Sequence, residues 1–285
     1  MTDASPSSTP PTPPSPPPSA AASRADQAME DASVALVERK YFLAERLCAD
    51  ALRTAIAADD YERAGRICMP LLEARRLKRQ QAIDAGRIVI INEPVTEGME
   101  IKAGCYIVCP PRVGAEARTI RQMADQAEVP VIVIAREPAT RAGLCPVVAV
   151  GPITVRAFVP EPPPVDPARP GKPRKGPKVP DPAPPSPPSP SGVFGAFAPP
   201  PIEWVLSTCE ALGDAAIAQA AATTASDLVN ELHARLQSCP DHEKLHQRLV
   251  DACERAAREP RRRKPAPAAP AEFDEFGEGS FSSEE

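Results

Sequence analysis

The sequence predicts an α/β fold joined to an all-α part, with N-terminal helical hairpins on a small, mostly parallel α/β sheet, a proline-rich linker and a C-terminal helical module. Three observations carry that prediction. Strand-like apolar runs occur only within residues 87–159. On both sides of that block, apolar residues recur at helical spacing. Finally, 39 prolines among 285 residues cannot sit inside regular elements, so a large share of the chain must lie outside them.

Composition narrows the function classes. With 4% aromatic residues and a single tryptophan, Trp204, any core must be built from Ala, Val, Ile and Leu, which favours close helix-on-helix packing. A net charge of -5 disfavours general nucleic-acid binding, which needs a basic face. Two basic clusters, residues 172–178 and 261–264, lie in proline-rich sequence and read as solvated charge. Residues 2–23 lack the charged-then-apolar order of a secretory signal, and no apolar run reaches membrane-span length, so a cytoplasmic location is expected. The eight cysteines are scattered through apparent helices and strands, as reduced, buried thiols would be.

In chain order, residues 1–23 are Pro, Ser, Thr and Ala and are expected to form a disordered tail. Residues 24–85 read as helices. Met29, Ala32, Leu36 and Val37 form one stripe, Arg39-Lys40 a break, and Leu43, Leu47, Ala51 and Leu52 a second stripe. A third helix starts where Asp59 or Asp60 can cap it, and Pro70 either kinks it or opens a fourth segment.

Tyr41, Ala44, Ala51 and Leu52 have the spacing of the second helix of a tetratricopeptide repeat, and Ala32 falls at the small position of the first. Tyr61 and Ala64 repeat that opening twenty residues later. The region therefore resembles a tetratricopeptide-type helical hairpin, although the family's first-helix aromatic and closing proline are absent. The resemblance implies a protein-binding surface lined by the first helix, at polar positions within residues 26–38, while Ala44 and Ala51 hold the helix contact.

Residues 86–159 read as a small α/β domain. Residues 88–91, 106–108 and 131–134 are apolar runs suited to strands buried on both faces, and Val113, Ala117, Ile120, Ala124 and Ala127 mark a helix between the second and third. Strand, helix, strand in that order predicts a parallel pair. Residues 147–150 and 153–158, divided by Gly151-Pro152, predict a hairpin at the sheet edge. Residues 160–201 form the linker, residues 202–259 a helical module whose first helix ends at Gly213, and residues 260–285 a tail with Phe273, Phe276 and Phe281 among carboxylates.

Two sets of residues are candidates for chemistry. The run from His242 to His246 matches the HExxH pattern, two imidazoles on one helical face with Glu243 between, but Leu249 and Ala252 stand where an extended zinc-protease motif needs glycine and histidine. A structural zinc site would use Cys239, His242 and His246, with Cys253 two turns too far along; the competing expectation is a buried Cys253 and solvent-facing histidines. The other set lies beyond the carboxyl ends of the parallel strands. There Arg112, Gly114, Arg136, Thr140 and Arg141, near a helix N-terminus, suit a carboxylate or phosphate. No nucleotide-binding glycine motif accompanies them. The sequence is thus read as a non-enzymatic intracellular adaptor that binds other proteins or peptide segments, with no cofactor and no membrane partner. The alternative is an α/β domain that binds or transforms a small anion at the arginine loops.

Overall fold

The computed structural model describes residues 20–96, 98–140, 143–162 and 199–259. Arg141, most of the expected linker and the residues after Glu259 lie outside the described residues. The first helix, α1 (Ala20–Val37), begins inside what composition alone assigns to the tail. It is followed by α2 (Tyr41–Ala57) and α3 (Tyr61–Asp84). Arg39 and Asp59, with φ of 61° and 54°, turn the chain between them. The Asp60 carboxylate caps α3 by accepting the Arg63 N–H at 3.3 Å. Pro70 lies within α3 without ending it. Ala32, Ala44 and Ala64 are fully buried, so the small side chains do let these helices approach closely.

Five strands form one sheet in the order β1 (Ile88–Ile91), β2 (Gly104–Val108), β3 (Val131–Arg136), β4 (Leu144–Val150) and β5 (Thr154–Pro160). The β1–β2 and β2–β3 pairs are parallel, whereas β3–β4 and β4–β5 are antiparallel. The sheet is therefore mixed rather than mostly parallel, because the edge hairpin adds a second antiparallel contact where it joins β3. Between β2 and β3 runs α4 (Gly114–Gln126). Alternation along the strands sorts the side chains: Tyr106, Val108, Val133, Ala135 and Val148 pack under α4, while Cys105, Ile107, Ile132, Ile134 and Val147 face the opposite way.

That opposite face explains the rest of the chain. The last three helices, α5 (Ile202–Ala218), α6 (Ala225–Ser238) and α7 (Glu243–Arg258), share one core with it and with the N-terminal helices. The expected C-terminal helical module is thus present as three helices, packed onto the rest of the fold rather than standing apart. The cause is apolar area: Leu232, Leu236, Leu245 and Leu249 need cover worth about 2 kcal/mol each, and α3 and the sheet supply it. The two ends of the proline-rich segment also meet, since Trp204 Nε1 donates to the Pro160 carbonyl at 2.9 Å.

The first C-terminal helix does not end at Gly213 but runs on to Ala218. Glycine is needed there for clearance, because a Cβ on Gly213 would overlap Cγ of the His242 ring. Gly151 has the same role between β4 and β5: a Cβ there would run into Ser238 Oγ, and that hydroxyl donates to the Ile153 carbonyl at 2.6 Å.

Candidate functional site

The loops after β2 and β3 do lie at one edge, but the charges of Arg112 and Arg136 are already engaged. Arg112 reaches Glu116 at 3.4 Å, and Arg136 donates to Glu161 at 2.9 Å. At the N-terminus of α4, where an anion would sit, Glu116 Oε2 accepts the Val113 N–H at 2.8 Å. The chain's own carboxylate fills that position. The Thr140 hydroxyl closes its loop on Leu144, donating to the carbonyl at 3.1 Å. Gly114 marks a close approach to β4, since its Cβ would meet Val150 at 2.5 Å.

The histidines are also built into the fold, and neither faces solvent. His242 is 3% exposed and His246 1%. His242 caps α7, its Nδ1 accepting the Leu245 N–H at 3.2 Å, so Nε2 carries any proton of the neutral ring. That Nε2 lies 3.3 Å from Glu210 and 3.5 Å from Asp214, near enough for charge attraction but outside hydrogen-bond geometry. His246 Nδ1 donates to the His242 carbonyl at 3.0 Å, which leaves Nε2 to accept from Arg75 at 3.4 Å. Burial and then the Arg75 charge push the His246 pKa down to about 3. Burial likewise lowers His242, against the pull of Glu210 and Asp214.

Cys239, at the C-cap of α6, is buried, and burial raises its thiol to about 12. The Nδ1 atoms of His242 and His246 are thus taken by backbone contacts, and burial disfavours the thiolate of Cys239. No group of three or more potential ligands is arranged around a metal position among the described residues.

Around the histidines, charged groups tie three parts of the chain together. Glu45 on α2 accepts from Arg75 at 2.8 Å and Lys78 at 2.6 Å on α3; despite burial, those cations hold its pKa at about 2. Arg79 bonds Glu210 on α5 and the Asp241 carbonyl. Arg121 on α4 reaches past the short β3–β4 ladder, bonding the carbonyls of Val133 and Ser238 at 3.5 and 3.1 Å. These contacts hold the helices in register.

The surface with unspent chemistry lies elsewhere, at the turn from α1 to α2. A cleft of about 440 Å³ is lined by Arg39, Lys40, Tyr41, Phe42, Arg46 and Glu128, among others. Phe42, buried at its edge, carries Lys78 over its ring at 3.8 Å. Arg39 has no side-chain partner among the described residues. Lys40 pairs with Glu38 at 2.7 Å and Arg46 with Glu128 at 2.8 Å, but all four side chains are about half exposed, so a competing carboxylate can take either cation at little cost. Val34 and Val37, one turn apart on the end of α1, are 50% and 85% exposed. The sequence reading treats Arg39-Lys40 only as a helix break. The signal it passes over is two cations followed at once by two aromatics.

The chain matches no protein-family profile, no curated protein and no solved structure.

Proposed function

We propose that the protein is a non-enzymatic adaptor that binds peptide segments of other proteins through its tetratricopeptide-like helical hairpin, at the cleft between Arg39 and Arg46. The observation that carries this reading is the cleft itself. Its size falls within the ~300–1,000 Å³ of ordinary binding pockets, and its lining brings three cations together with Tyr41 and Phe42. Such a surface suits an acidic segment with an aromatic or apolar anchor. Within α1 the binding positions move toward the C-terminal end, because Asp26 is held in the fold by Arg63 at 3.1 Å. A non-catalytic role is supported by the Nδ1 atoms of His242 and His246, both committed to structural contacts, and by buried thiols held protonated.

The test is a titration of a dye-labelled acidic peptide containing phenylalanine into the full chain, beside the double variant Arg39→Glu/Arg46→Glu. Binding should fall at least tenfold in the variant, with the helical circular dichroism unchanged. Equal binding by both proteins, or none by the wild type up to millimolar peptide, overturns the proposal.

A further inference from the structure

We infer that a second pocket, between α2, α3 and α6, binds the carboxylate of a small aliphatic acid. It shares no lining residue with the cleft at the α1–α2 turn, so it stands independently of the adaptor reading.

An incompletely used arginine is the first argument. Arg75 is only 8% exposed and lines this pocket. Its Nε donates to Glu45 at 2.8 Å and its Nη1 lies 3.4 Å from His246 Nε2, which leaves Nη2 without a partner among the described residues. A guanidinium nitrogen left free in a buried setting calls for an oxyanion, since its hydrogen bonds are strong there and costly to leave unmade. The other polar side chains of the lining are Arg53, His233 and Gln237. Glu45 and Asp50, the carboxylates paired with the two arginines, do not line the pocket. Arg53 and Asp50 are about 70% exposed, so a ligand can take Arg53 from that pair at little cost. Burial, and then the charges of Arg75 and Arg53, push the pKa of His233 down. An anion held between those cations and the ring relieves that field.

Size is the second. The pocket holds about 200 Å³, and a water takes up ~30 Å³ of the liquid. A phosphate fills only part of that space. The remaining lining includes Leu52, Leu71 and Leu236, one from each helix. An acid with a short aliphatic chain therefore fits both halves, its carboxylate on the arginines and its chain against leucine, where leaving water is favourable.

The experiment titrates hexanoate into the full chain and follows the ring protons of His233 by nuclear magnetic resonance, with His233→Gln to assign them. Hexanoate should bind with a Kd of about 1 mM or tighter. The bound acid should raise the His233 titration midpoint by about one pH unit, because an opposite charge now faces the ring. Two variants test the arginines. Arg75→Lys keeps a cation for Glu45 but removes the free Nη2, and Arg53→Gln changes only an exposed side chain, so its urea midpoint should equal that of the wild type. Each should weaken hexanoate by about fivefold or more. Equal affinity of Arg53→Gln and the wild type, or no His233 response up to about 20 mM hexanoate, overturns the site. Hexanol binding as tightly as hexanoate overturns the role of the carboxylate, and inorganic phosphate binding as tightly overturns the choice of an organic acid.

Discussion

Replacing Gly213 by alanine should destabilise the protein in its natural background and stabilise it once the His242 ring is gone. In an exposed helix interior, glycine to alanine gains about 1 kcal/mol. Here the new Cβ would overlap His242 Cγ and Cδ2, well inside the ~3.5–4.0 Å of carbon–carbon contact. The ring must retreat, and with it goes the 3.2 Å bond by which Nδ1 caps α7. Overpacking costs about 1–3 kcal/mol and a lost cap about 1; after the helix gain, the net loss is about 1–3 kcal/mol. In His242→Ser, an oxygen still caps α7 but nothing opposes the Cβ, so the same Gly213→Ala change should raise stability by up to about 1 kcal/mol. Urea unfolding of the four proteins, followed by Trp204 fluorescence and far-ultraviolet circular dichroism, measures the cycle. If Gly213→Ala has the same sign in both backgrounds, the clearance argument fails.

Two further outcomes test the shared core. His246 has a folded pKa of about 3 against 6.5 for the free side chain, so the folded state binds fewer protons than the unfolded one between those values. Its contribution is complete above pH 6.5 and is lost as pH falls toward 3, at roughly 1 kcal/mol per pH unit. Glu45, near 2 when folded and 4.5 when free, starts to lose its contribution only below pH 4.5, so a fall in urea midpoint between pH 6.5 and 5 belongs to the histidines. His246→Asn should flatten that fall, and an unchanged slope refutes the assignment. Separately, a protease that cuts only within residues 163–198 should leave two fragments that elute together on gel filtration without denaturant. Fragments that separate would show that α5–α7 do not share the core.

Periodicity made most of the elements legible because it reports burial, and burial is what the fold enforces. The stripe Leu245, Leu249, Cys253 marked α7 correctly, and the same stripe already contained the position of His246, which shares the buried face with Leu249 and Ala252. Its polar neighbours Glu243, Lys244, Gln247 and Arg248 made the motif look exposed. Gly213 misled for a related reason: a glycine within a helix reads as an end unless the ring that needs its space, 29 residues away, is known. The self-pairing of Arg112 with Glu116 was visible at i,i+4, whereas Arg136 with Glu161 depended on the path of β5. No local pattern specified that the last three helices would cover the sheet, since that choice is made between elements by apolar area.

The position of the cleft follows from the order in which these layers are covered. Helix α4 takes one face of the sheet, and α3 with α5–α7 takes the other. That leaves α1 as the outer layer, packed on α2 and α3. Its buried side is satisfied by Ala25, Ala32 and Ala35, whose small side chains bring the backbones together but give little width. Longer apolar groups at the end of the helix, Val34 and Val37, consequently stay half or more exposed among the described residues. The turn that follows is fixed by Arg39 at φ 61° and by the Lys40 N–H bonded to the Ala35 carbonyl at 2.8 Å, so its cations are presented from a defined backbone rather than from a loose loop. A rigid cationic turn beside uncovered apolar groups lowers the entropy cost of binding for any segment that brings opposite charge and an apolar anchor. The proposed binding surface thereby falls beside the least covered helix, and the buried ion pairs of Glu45 with Arg75 and Lys78 keep α2, which carries its other side, fixed to α3.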